Sequence, residues 1–289
     1  MTPHRRTIDA TLRRHLSAVN RTERLSGHAG ALVTAALRAA MKHLPDKPNH
    51  FNLRPALDSI REIVHRLRHV AAYMIAVRLK GMAEWGHLAM ARVLTTGARR
   101  QLAKEEVYRE DLWDYLRLII RPPAAWFLKA VVGAAPDLLT RLIDPDAASD
   151  VVLQGVAAGY DRTRIAKDLT QVFGGYENAA RRVARTEGLR VATQTQLSAS
   201  EEIPELVIGY KVYAVPKTEY SRIDHLKRSG TSYFRNPKGD QLGFDVLPQP
   251  PFDNPGRILQ NNCRCGLVPL FSIEDANSDD LRDAVNRLG

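Results

Sequence analysis

Both cysteines of the chain stand one residue apart in the stretch ILQNNCRCGLVPL, as Cys263 and Cys265, and the only histidine beyond residue 87 is His225. Thiolate sulfur and imidazole nitrogen are preferred zinc ligands. These three side chains form one zinc ligand set, with Asp224, Asp245, Asp253 or water in the fourth position, provided that Cys-Arg-Cys lies on a bent loop. In a regular strand the two thiols would share a face but sit about 7 Å apart. The competing reading makes the thiols small buried packing groups and gives His225 a structural hydrogen bond. A disulfide between the two would close a strained small ring around Arg264, so the expected site of synthesis is a reducing cytoplasm.

Two other pairs have the spacing of chemistry. His65 and His69 are four residues apart, which on a helix could bring two imidazoles to one metal. With no third ligand nearby and no acid between them, they read as a solvated polar face. Arg185 and Glu187 lie in ARTEGLRVATQ, where Ala180, Val183, Ala184, Val191 and Thr195 form an inward helical stripe that includes Glu187. An unpaired carboxylate there would cost several kcal/mol, so Arg190, Arg222 or a backbone donor is expected to meet it. Structural pairing is favoured over acid-base work, because no nucleophile motif, phosphate loop or paired-carboxylate signature accompanies it.

The elements that must position these residues divide by charge. The chain has 289 residues and a net charge of +10; residues 1–144 carry 24 Lys and Arg against 13 Asp and Glu, and residues 145–289 carry 18 against 19. The positive excess is confined to the first half. Such a region fits a polyanion, since cations that meet phosphates release condensed counterions; it equally fits solvated faces of long helices. Arg13, Arg14, Arg61, Arg66, Arg68 and Arg78 are the expected DNA contacts. With no zinc-finger, RNA-recognition or helix-turn-helix pattern, such contact would be non-specific.

The first half reads as helical. Ile8, Leu12, Leu16 and Val19 make an amphipathic stripe with Arg13 and Arg14 on a basic outer face. Pro45 to Asn49 break the pattern, and a longer helix carries Leu57, Ile60, Val64, Leu67, Ala71 and Met74 on to Ala91, weakened at Gly81 and Gly86. Further helices are expected in EEVYREDLWDYLRLII and PAAWFLKAVVGAA, with Trp113, Tyr115, Trp126 and Phe127 as packing aromatics. A boundary is expected at IDPDAASD. A short helix then turns at Gly159, Asp161 caps the next helix, Gly174-Gly175 stop it, and a further helix runs to about Ser200. LVIGYKVYAV reads as a strand, a loop-rich region reaches Pro269, and IEDANSDDLRDAVNRLG suggests a terminal helix. The apolar runs are too short and too interrupted by charge for a bilayer span, and the basic start lacks the apolar segment of a secretory signal.

Four features of the second half occur in a distinctive order: IAKDLTQVF from Ile165, ARTEGLRVATQ around Arg185 and Glu187, SRIDHLKRSG from Arg222 through His225 to Gly230, and NCRC. In this combination the chain resembles the C-terminal domain of the phage Mu protein F-like minor head proteins, the phage head morphogenesis family, over roughly residues 150 to 270. Where that family has an aspartate, an arginine and commonly a tryptophan, this chain has Thr218, Tyr220 and Tyr213, and Gln260-Asn261 replace a His-Pro.

The expected fold is α+β: a basic helical module over 1–144, a smaller α+β domain over 150–272 with a short sheet and long loops, and a tail over 273–289. The resemblance implies a minor capsid protein of a tailed phage or prophage, found in the virion and the cytoplasm of the bacterial host, whose partners are portal or capsid proteins and non-specific DNA. The rivals are a prophage-derived enzyme or toxin with a His/Cys site, against which the replaced aspartate and arginine stand, and a nucleoid-type DNA-binding protein.

Overall fold

The structure is a computed structural model, and it describes residues 3–105, 134–201, 207–214, 230–234 and 265–271. The described elements are α1 (Pro3–His43), α2 (His50–Glu105), α3 (Ala134–Leu142), α4 (Pro145–Ala157), α5 (Arg162–Glu201), β1 (Gly209–Ala214), β2 (Ser232–Phe234) and β3 (Cys265–Leu270). The fold is α+β, mostly helical with a small antiparallel sheet in the order β2-β1-β3. Among the described residues no helix is long and apolar enough to cross a membrane. The helices expected around Trp113 and Trp126, and at the end of the chain, lie outside the described residues.

Local chemistry explains where the helices begin and end. Asn49 Oδ1 accepts from the amides of Phe51 (2.9 Å) and Asn52 (3.0 Å), while Asn52 Oδ1 accepts from Asn49 N (2.9 Å), a reciprocal cap that opens α2. Asp144 Oδ1 accepts from Asp146 N at 2.9 Å, with Pro145 at the first helical position of α4. That helix closes as a Schellman motif: Tyr160 N donates to Gly155 O (2.9 Å), Gly159 N to Val156 O (3.0 Å), and Gly159 takes the left-handed φ of 73°. Asp161 Oδ1 then accepts from Arg164 N at 2.8 Å to open α5.

One expected interruption is absent. Gly174 and Gly175 do not stop a helix, because α5 runs through them from Arg162 to Glu201. Glycine costs a helix about 1 kcal/mol relative to alanine, whereas Phe173 and Tyr176 on either side are buried in edge-to-face contact, ring centroids 5.4 Å apart. Burying each aromatic contributes about 2 kcal/mol, which outweighs the glycine cost. As expected, α2 continues through Gly81 and Gly86 as far as Ala91, and it runs on to Glu105. Gly86 is buried, and a Cβ there would stand 3.4 Å from Thr195 Cγ2, so the bare backbone permits close approach of α5.

The chain forms two compact units that do not follow its order. One comprises Met1–Arg21, Lys80–Val131 and Gly188–Gly289; the other comprises Thr22–Leu79 and Val132–Glu187. The regular elements in the described part of the second unit are all helices. Leu25, Ala29, Val33, Ala36 and Ala40 of α1, Ile60, Val64, Leu67 and Ile75 of α2, and Leu139, Val152, Leu169 and Val183 of the later helices are all buried. Their three- and four-residue spacing is the ordinary signature of one helical face turned to a core. The expected stripe of α2 is thereby present through Ile60, Val64, Leu67 and Ala71.

The first unit contains the sheet. Tyr210 and Val212 of β1, Leu267 of β3 and Phe271 pack with Met90 and Leu94 of α2 and Leu197 of α5. Alternation puts Tyr210 and Val212 on the same face of the strand. Phe271 lies directly over Gly97, where any side chain would occupy the space of its ring. Tyr210 is fully buried and its hydroxyl bonds Ser200 Oγ, satisfying the polar end of an otherwise apolar side chain.

Candidate functional site

The basic residues expected to meet a polyanion fall into four groups. Arg13 and Arg78 are exposed. Arg61 and Arg66 are exposed but paired, Arg61 Nε to Asp146 Oδ1 at 3.1 Å and Arg66 Nε to Glu62 Oε1 at 2.5 Å. Arg68 is half-buried, its Nε enclosed without an acceptor. Arg14 departs from the expectation altogether. It is not on an outer face but 6% exposed, with Nη1 donating to Gln196 Oε1 (2.9 Å) and Nη2 to Ala192 O (3.1 Å). Gln196 in turn donates from Nε2 to Leu267 O at 2.7 Å, so a buried polar chain ties α1 to α5 and β3 within the first unit. Periodicity put Arg14 outside because its neighbours are apolar; the position is inside because a buried glutamine and a helix carbonyl await its guanidinium.

The basic line that does face outward belongs to the same helix further on. Arg24, His28, Ala31, Ala35, Arg38 and Lys42 are exposed and recur at spacings of four and three residues, so they share one face of α1. From Arg24 to Pro45 there is no acidic residue. The face extends about 27 Å at the helical rise, with the small residues Ala31 and Ala35 at its centre. The cations at Arg24, Arg38 and Lys42 were legible as this same repeat, which the sequence reading did not follow beyond Val19.

The motif residues of the second half have structural employment where they are described. Arg185 Nε is bonded to Glu23 Oε2 at 2.9 Å, both side chains about a third exposed. Glu187 is buried at 3% exposure, inside the expected stripe with Val183, Ala184, Val191 and Thr195, and does not stand there without a partner. Gly230 has φ 92°. Its N–H donates to Val212 O (2.8 Å) while Val212 N donates to Thr231 O (2.9 Å), so two residues oppose one. That is the pattern of a β-bulge whose first position requires glycine. The end of the SRIDHLKRSG motif therefore answers a backbone need at the entry to β2.

Arg222, His225 and Cys263 lie outside the described residues, and so does the zinc set that His225 and Cys263 would form with Cys265. Cys265 begins β3, opposite Ala214. Among the described residues no group of three or more His, Cys, Asp or Glu side chains could hold a metal. Burial pushes the Tyr176 phenol well above its ordinary value, and the nearby Asp144 carboxylate adds to the shift; the hydroxyl donates to Asp144 O. It is a structural tyrosine locked in its neutral form.

No family model, curated protein or solved structure matches the chain.

Proposed function

We propose that the chain is a non-catalytic minor head protein of a tailed phage or prophage, associated with the portal or inner capsid surface, and that its helical part lies against packaged DNA. The head assignment rests on the ordered motifs IAKDLTQVF, ARTEGLRVATQ, SRIDHLKRSG and NCRC in the second half. What carries the DNA contact is the exposed, acid-free line of Arg24, His28, Arg38 and Lys42 on α1. Surface cations spaced along a rod, with no ion pair among the described residues, fit a regular row of phosphates and carry no base-reading groups, so binding is non-specific. The motif residues of the resembling domain that are described act in support: Arg185 in an ion pair, Glu187 in the interior and Gly230 in a bulge. These roles suit a binding and assembly component better than an enzyme.

Mass spectrometry of purified particles from an induced lysogen tests the head assignment. The chain is expected at low copy in particles, and its presence only in the cell lysate would overturn that assignment.

A further inference from the structure

We infer that His65 and His69 form a surface site for a divalent transition-metal ion on α2. The two imidazoles are one helical turn apart and both are exposed. Their rings do not splay; the centroids lie 4.5 Å apart at an interplanar angle of 57°, and the two Nε2 atoms face each other at 3.4 Å. Two nitrogen ligands each about 2.1 Å from a tetrahedral zinc ion stand about 3.4 Å apart. The pair therefore already has the nitrogen–nitrogen separation that such an ion requires, and the ion would replace the hydrogen bond between the two rings.

The surrounding charges permit a cation. Of the three arginines near the turn, Arg66 is paired with Glu62 and Arg61 with Asp146, while Arg68 is half-buried with its Nε enclosed among the described residues. Neutral imidazole is the form that ligates, and its preference is for zinc, nickel, copper and cobalt over magnesium or calcium. Among the described residues no third ligand joins the pair. The ion therefore keeps open positions for water, and it exchanges readily instead of being locked in as a four-ligand structural zinc would be. Bound across one turn, it would clamp that turn of α2 and raise the stability of the native state by linkage.

The site is separate from the Cys263, Cys265 and His225 set, and the test keeps the two apart. Tag-free full-length protein is titrated calorimetrically with zinc chloride and with nickel chloride, beside His65→Ala, His69→Ala and a triple variant His225→Ala/Cys263→Ser/Cys265→Ser. The expected result is an ion bound by wild type and by the triple variant, with affinity at least about tenfold weaker in each single variant, as loss of one of two ligands requires. Nickel should also raise the unfolding temperature of wild type and not that of His69→Ala. Should alanine disturb the helix, His69→Gln keeps a polar side chain at the exposed position and repeats the comparison. Absence of binding to the triple variant, or equal affinity in wild type and both single variants, would overturn the inference.

Discussion

Arg14 and Gln196 meet in the interior 182 positions apart in sequence, the guanidinium Nη1 donating to the amide Oε1 at 2.9 Å. The same amide reaches on to Leu267 O at 2.7 Å, so a single glutamine joins the first helix to the last described strand. A buried charge that loses one such partner keeps its desolvation cost with less to offset it, here the bond to Ala192 O.

Removal of either member should therefore destabilise strongly. Arg14→Ala is expected to cost about 3 kcal/mol and Gln196→Ala about 2 kcal/mol, with a double variant less destabilised than the sum. Urea unfolding of the four proteins measures the coupling. Strictly additive losses would show that the bond contributes nothing specific.

Gly97 gives a steric prediction. Because the Phe271 ring fills the place of a side chain there, Gly97→Ala should destabilise by about 1–3 kcal/mol through overpacking. Phe271→Leu should recover part of that loss in the Gly97→Ala background. Thermal denaturation of the single and double variants decides it, and a stabilised Gly97→Ala would refute the packing.

Gly230 gives a conformational one. At φ 92° an alanine is strained, so Gly230→Ala should cost about 1–2 kcal/mol. Gly175→Ala, inside α5, should instead be neutral or stabilising by up to about 1 kcal/mol. Chemical denaturation of the pair distinguishes a required glycine from a tolerated one.

Tyr176 governs a pH response. Its folded-state pKa is raised by burial first and by Asp144 second, so the folded state holds the phenolic proton more tightly than the unfolded chain does. The resulting stability is complete below the unfolded value of about 10 and is lost as pH rises beyond it. Tyr176→Phe loses one hydrogen bond, about 1 kcal/mol at neutral pH, but has no phenol to ionise. The gap between wild type and variant should narrow above about pH 10, as urea titrations at two pH values would show; a gap that widens there would contradict the assignment.

The sequence shows a great deal of this architecture and misses some of it for physical reasons. Apolar spacing on α2 and α5 is legible because a buried face imposes the helical period, and Asp161 and Gly159 are legible because caps demand particular side chains and angles. Gly174-Gly175 mislead because local propensity is small beside the burial of Phe173 and Tyr176. Arg14 misleads because its partners, Gln196 and Ala192, are brought to it only by the tertiary fold. The convergence of His65 and His69 is compatible with their spacing but is decided by rotamers, which no spacing reveals.

The proposed contact of α1 with a polyanion is tested most directly by fluorescence anisotropy of labelled random-sequence duplex DNA with full-length protein, between about 50 and 200 mM salt. Binding should fall steeply across that range. The variant Arg24→Gln/Arg38→Gln/Lys42→Gln should bind more weakly and show a log–log salt slope shallower by about three, one for each phosphate contact removed. Wild-type binding that does not change with salt, or a variant slope equal to that of wild type, would contradict the account.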